Sequence, residues 1–249
     1  MKVEICVDSV AGVRAAQVAG AERAELCADL FEGGITPSRG TIRQARTVPG
    51  IGLQVIVRPR GGDFVFDDDE MAAMLADVAT ARQEGADGVV IGVLEADGRV
   101  DVARTRALME AAGPLSVTFH RAFDMTPDPF AALDTLIGLG VDRILTSGQE
   151  ASVLEGLPLI AELVRRAGDR VVIMPGGGIT ERNVARILEG ARPKEIHFAA
   201  LVAVESPATL RRPHVFMGGE LRQSEWSRLE TSGPLVGAVL ARARGAGGA

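Results

Sequence analysis

Short apolar, β-branched runs alternate along this chain with longer segments that carry one apolar face. Lys2 to Val7 is a run of the first kind, and Asp8-Ser9 behind it offers a helix N-cap, so a strand and then a helix ending near Gly20 are predicted. Ala24 to Cys27 predicts a second strand, and after the loop Asp29 to Pro37, Ser38 caps a helix toward Thr47. Leu53 to Val57 is a third strand ending in Arg58-Pro59-Arg60-Gly61-Gly62-Asp63-Phe64, and Asp67 with Glu70 forms a capping box for a helix reaching Glu84. The pattern continues with strands at Gly88 to Ile91, Leu115 to Phe119, Arg143 to Thr146, Val171 to Met174 and Lys194 to Ala199. The helices between them are expected from Asp101 to Ala112, from Asp128-Pro129 to Leu139, behind a capping box of Ser152 with Glu155, and after Thr180.

Eight strand-helix units in unbroken succession predict one α/β domain, a closed (β/α)8 or TIM barrel, with an open doubly wound sheet as the alternative. The barrel core is expected over residues 2–200 and a closing segment over 201–244. Within that segment, 201–223 reads as a long loop, followed by Trp226 and a helix near Pro234 to Arg244 that covers the last barrel face. The glycine-rich tail 245–249 is expected to fray. Gly20-Ala21-Glu22, Gly85-Ala86-Asp87 and Gly140-Val141-Asp142 recur between a helix end and the next strand, where glycine supplies a left-handed terminus.

Composition narrows the function. At 249 residues the chain suits one α/β barrel, and 47% apolar with 24% charged residues can fill a large core. A net charge of −6, 4% aromatic residues and no tyrosine leave no basic, aromatic-laced stripe, which argues against nucleic acid. No apolar run reaches the roughly 18 residues of a membrane span. The N-terminus opens directly on a strand pattern, so a cytoplasmic protein is expected. Two cysteines, Cys6 and Cys27, make no disulfide framework and no zinc-ribbon pair.

In such a barrel the carboxyl ends of the strands share one mouth, and here they are polar. Glu4, Cys6 and Asp8 fall on one face of the first strand, Glu25 and Cys27 on one face of the second, and Glu195 and His197 on one face of the last. Gln54, Arg58 and Arg60 come from the third strand, and His120, Arg121 and Asp124 follow the fifth. One reading is a structural ion network in which Glu4 and Glu25 neutralise Arg58 and Arg121. A second is a pocket for a small anionic, sugar-derived or phosphorylated substrate. Arg58 and Arg60 would orient the anion, and His120 would be general acid or base with Glu25 or Glu4 as its partner. Arg121, Asp124 and His197 would line that pocket, and Ser147-Gly148 with Gly176-Gly177-Gly178 could offer backbone N–H groups. The last strand brings no second glycine-rich arm. A divalent ion at Glu4, Glu25 and His120 is compatible with this reading. A third is a soft ion such as Cu(I) held by Cys6 and Cys27, which occupy similar places on successive strands.

The motifs Glu25-Leu26-Cys27, Glu32-Gly33-Gly34-Ile35-Thr36-Pro37-Ser38, Arg58 to Phe64, Thr118-Phe119-His120-Arg121-Ala122-Phe123-Asp124, Leu145-Thr146-Ser147-Gly148-Gln149 and Pro175-Gly176-Gly177-Gly178 together resemble the CutC family, long named for copper homeostasis. The resemblance covers about residues 2 to 200. It implies a (β/α)8 barrel, a cytoplasmic location, homodimers or higher oligomers, and copper binding through Cys27 and Cys6. Gln54 stands where the family often has histidine, removing a ligand or base. Phe198-Ala199 replaces small polar residues and would make the strand-eight rim more apolar. The resemblance leaves open whether the chain is an enzyme.

Overall fold

The computed structural model describes residues 1–215 and 226–246. Strands β1 (Lys2–Val7), β2 (Arg23–Leu26), β3 (Gly52–Ile56), β4 (Gly88–Ile91), β5 (Ser116–Phe119), β6 (Arg143–Thr146), β7 (Val172–Pro175) and β8 (Glu195–Phe198) lie parallel in the order 7-6-5-4-3-2-1-8. A bridge between Gly176 and His197 joins the two ends, so the sheet is a barrel rather than an open doubly wound sheet. Helices α1 (Val10–Val18), α2 (Arg39–Arg46), α3 (Asp68–Gln83), α4 (Val102–Ala112), α5 (Pro129–Leu139), α6 (Leu157–Ala167) and α7 (Val184–Ala191) alternate with the strands.

The two faces of each strand explain the ring. Val3, Ile5, Val7, Leu26, Leu53, Val55 and Phe119 are buried in one continuous apolar layer with helix residues such as Val13, Ile42, Met74 and Leu108. Burying these side chains is the main driving term, worth about 1.5–3 kcal/mol for each fully buried aliphatic or aromatic residue. The alternate residues turn into the barrel. Helix starts follow the predicted chemistry: Ser9 accepts from the Gly12 amide, Ser38 from Thr41, Asp101 from Arg104 and Asp128 from Phe130, and Asp67 with Glu70 closes a capping box.

Three expectations are corrected. Ser152 and Glu155 pair in a turn ahead of helix six, which begins only at Leu157. Gly148 and Gly156 press backbone against backbone, a Cβ on Gly156 lying 1.9 Å from the Ser147 carbonyl oxygen, so the chain must complete that approach before it coils. The stretch 201–223 is not all loop. β9 (Leu201–Glu205) pairs antiparallel with β10 (Ser227–Thr231), because a β-branched run finds its partner more than twenty residues along the chain. Residues 216–223 lie outside the described residues. Gly245 and Ala246 belong to α8 (Gly233–Ala246), and residues 247–249 lie outside the described residues. Helix α8 buries Val236, Val239, Leu240 and Ala243 and packs between α7 and α1, completing the outer layer. Among the described residues, no helix is long and apolar enough to cross a membrane.

Candidate metal centre

Strands β1 and β2 pair with Cys6 opposite Glu25 and Glu4 opposite Arg23, while β1 and β8 pair with Glu4 opposite His197. All of these side chains sit on the inner face, so register alone gathers them. Cys6 Sγ lies 3.8 Å from Cys27 Sγ, and Cys27 Sγ lies 3.6 Å from Glu25 Oε2. The donor atoms of Cys6, Glu25 and Cys27 all fall within 4.8 Å of one another. Both thiols are free, Cys27 buried and Cys6 half-buried. Ile56, Val90 and Leu30 pack around them, making an apolar wall. The 33–34 turn closes over Cys27: Gly34 has φ +92°, and a Cβ there would lie 3.1 Å from the sulfur.

A buried ion network supports the donors from below. His197 Nδ1 lies 2.9 Å from Glu4 Oε1, and Arg23 Nε donates to Glu4 Oε2 at 2.8 Å. Arg23 also pairs with Glu195, which accepts from Arg143 Nε at 3.0 Å. Glu4 is therefore neutralised by Arg23 and not by Arg58 or Arg121, Arg143 holds Glu195, and the carboxylates Glu4 and Glu25 partner His197, not His120. The strand starts at Arg23, one residue before the predicted Ala24, and the alternation Arg23-x-Glu25-x-Cys27 puts Arg23 on the same face as the donors.

This network sets the protonation of the donors. Burial opposes charge on Glu4, yet His197 and Arg23 hold its carboxyl down at about 2. The Cys27 thiol, hydrogen-bonded to Cys6, brings the Cys6 thiol down to about 5 against the penalty of burial. Cys27 itself is pushed well up, first by sharing its proton with Cys6 and then by burial. Burial and the Cys6 thiolate push Glu25 well up, and burial of His197 is outweighed by Glu25, Cys6 and Glu4, which favour its cation. Cys6 is thus biased toward the thiolate and Cys27, Glu25 and His197 toward their protonated forms, so a cation entering the centre would displace protons.

The other half of the mouth is built differently. Arg58 is buried and donates to the carbonyls of Glu32, Gly34 and Gly62 at 2.7, 3.1 and 2.9 Å. Arg60 is held by Glu70 and Asp63. Arg121 pairs with Asp124 at 2.8 Å and donates to Ser147 Oγ. Asp124 also accepts from the amides of Ser147 and Gln149 and from Thr146, so this cluster locks the β6 loop. Gly148 donates to Thr146 Oγ1, and the Gly178 carbonyl accepts from Asn183.

His120 is buried, with Nδ1 accepting from the Ala122 amide and Nε2 unpartnered; desolvation, reinforced by Arg58, brings it down to about 3 and keeps it neutral. The ring needs Gly92, where a Cβ would stand 2.3 Å from its Cε1. The structure brings His120 and Arg58 near Phe64, and Arg58 holds the carbonyl of Gly34, the residue that packs over the Cys27 sulfur. Gln54 accepts from Ser116 at 3.1 Å inside the barrel. Phe198 faces outward into the helix layer, so it does not make the rim more apolar as expected. Asp8, half-buried, lines a cavity of about 760 Å³ under the β9-β10 ribbon with Asp29, Leu30 and Glu230, and Leu30 separates that cavity from the thiols.

Comparison with known proteins follows this geometry. The model of the CutC family matches residues 1–202. A family protein CutC from Mesorhizobium japonicum is 52% identical over 242 residues, covering 97% of this chain and 94% of that one. The human copper homeostasis protein cutC homolog is 49% identical over 225 residues, covering 90% and 82%. The crystal structure of CutC from Streptococcus agalactiae superposes with a TM-score of 0.76 at 34% identity, covering 80% of this chain and 98% of that one. N-(5'-phosphoribosyl)anthranilate isomerase from Pyrococcus furiosus, at 13% identity with 98% and 99% covered and a TM-score of 0.57, shares the fold alone.

Proposed function

The chain belongs to the CutC family, and on that footing we propose that it is a cytoplasmic copper-handling protein that binds Cu(I) between the thiolates of Cys6 and Cys27. One observation carries the reading: two free thiols 3.8 Å apart in an apolar wall, one of them brought down to about 5. Soft thiolate sulfur selects Cu(I) over hard ions, and the two sulfurs lie close enough to share one ion. Relatives named for copper homeostasis support the same ion. The enzyme reading is not favoured, because Arg58, Arg60 and Arg121 are already committed to carbonyls and carboxylates. A homodimer or higher homo-oligomer belongs to the proposal through the family resemblance.

Anaerobic competition of Cu(I) against a chromophoric chelator tests it. The wild type is expected to bind stoichiometrically, and Cys27→Ser to lose on the order of a thousandfold in affinity, since a hydroxyl is a poor partner for so soft an ion. Equal affinity in the two proteins would sink the thiolate site.

A further inference from the structure

His197 stands at the edge of the thiol group in an arrangement that pure ion pairing does not require. Its Nδ1 is taken by Glu4 at 2.9 Å, and Glu4 is itself fixed by Arg23 at 2.8 Å. A Cβ on Gly176 would lie 3.1 Å from His197 Cδ2 and 3.3 Å from its Cβ, so the ring packs closely over that glycine. The opposite nitrogen, Nε2, is therefore directed at the donors. It lies 3.6 Å from Glu25 Oε2, beyond hydrogen-bond length, and Glu25 is one of the three clustered donors. A carboxylate behind one imidazole nitrogen, with the other nitrogen facing further donor groups, is how proteins fix a metal-ligating histidine.

We infer that His197 Nε2 is a ligand of this centre and that, with Cys6, Cys27 and Glu25, it forms a mixed sulfur, nitrogen and oxygen set for a tetrahedral divalent ion, zinc above all. The inference rests on the thiolate site proposed above and extends it to a second ion class. Two thiolates alone satisfy Cu(I), whereas Zn²⁺ takes four ligands and accepts imidazole and carboxylate beside thiolate. Glu25 and His197 would thus be ligands for zinc, whereas for Cu(I) they act only on the protonation of the thiols.

Two measurements test this on the full chain. The first is X-ray absorption at the zinc edge of wild-type protein loaded with one equivalent of Zn²⁺. Outer-shell scattering from one imidazole beside two sulfurs is expected; sulfur scattering without imidazole overturns the assignment. The second is competition of Zn²⁺ and, separately, of Cu(I) against chromophoric chelators in wild type and His197→Gln. Zinc affinity is expected to fall by about a hundredfold or more, and by at least about tenfold more than Cu(I) affinity, which His197 reaches only through the charge it sets beside Cys6. Equal losses for both ions, or for neither, overturn it. The absorption spectrum uses the wild type, so a His197→Gln chain that fails to fold leaves the question decidable. Tight Cu(I) binding with no imidazole on zinc would remove this inference and leave the copper reading standing. Loss of Cu(I) binding in the wild type would remove the copper reading itself.

Discussion

The two halves of the barrel mouth differ in how their polar groups are held: one ties its arginines and Asp124 to carbonyls, amides and carboxylates, with His120 Nε2 and Arg58 Nε left unpartnered, and the other presses soft donors against one another. On the β3, β5 and β6 side, Arg58 holds three carbonyls, Asp124 receives donors from Arg121, Thr146, Ser147 and Gln149, and His120 is neutral against Ala122. On the β1, β2 and β8 side, charges are paired lower down, but at the top sulfur meets sulfur and carboxyl at 3.8 and 3.6 Å, in the long, weak hydrogen bonds that thiols make. Polar strand ends therefore do not identify a ligand site by themselves. The informative feature is a set of donors held close together with weak bonds to one another.

The comparison can be broken by perturbing each half. The largest expected effect is at Glu4, whose replacement in Glu4→Gln leaves buried Arg23 and His197 without their shared counter-charge. Unfolding in urea should show a loss of about 3 kcal/mol at neutral pH, accompanied by weaker metal binding. A smaller effect belongs to His120. Its folded pKa of about 3 lies below the ordinary 6.5, so its contribution is fully present above 6.5 and is lost as pH falls toward 3. Stability should drop by about 2 kcal/mol between pH 7.5 and 5 from this group. His120→Gln should flatten that acid limb and leave Cu(I) affinity unchanged; an unaltered limb would show that the ring is not held neutral. The smallest is Arg121→Ala, where a half-exposed guanidinium leaves Asp124 with its amide donors. A change of about 0–1 kcal/mol in urea and none in metal binding is expected. A loss of metal binding there would join the two halves into one site.

The barrel was legible because period-two alternation and helix caps are local properties, as at Val3-Ile5-Val7 and the Asp67-Glu70 box. The donors were legible for the same reason: Glu25 and Cys27 share a face on any strand. The choice of partner was not. Whether Glu4 meets Arg58 or Arg23 depends on the β1-β2 register, and whether it meets His120 or His197 depends on which strand closes the ring. The β9-β10 pairing escaped notice because each strand is short and its partner distant. The alternation that turns Glu195 and His197 into the barrel turns Phe198 into the helix layer, which is why it adds nothing apolar to the rim.

The ring is stitched by three or four residue pairs at most of its joints, as between β1 and β8 or β6 and β7, whereas among the described residues β7 and β8 share the Gly176–His197 bridge. That joint is where the hoop is thinnest, and local opening should begin there. Because the bridge residue is His197, whatever stiffens that imidazole also clasps the hoop. Amide exchange along β7 and β8 should therefore slow when the mouth is loaded, turning a binding event at the rim into a change in how the whole cylinder breathes.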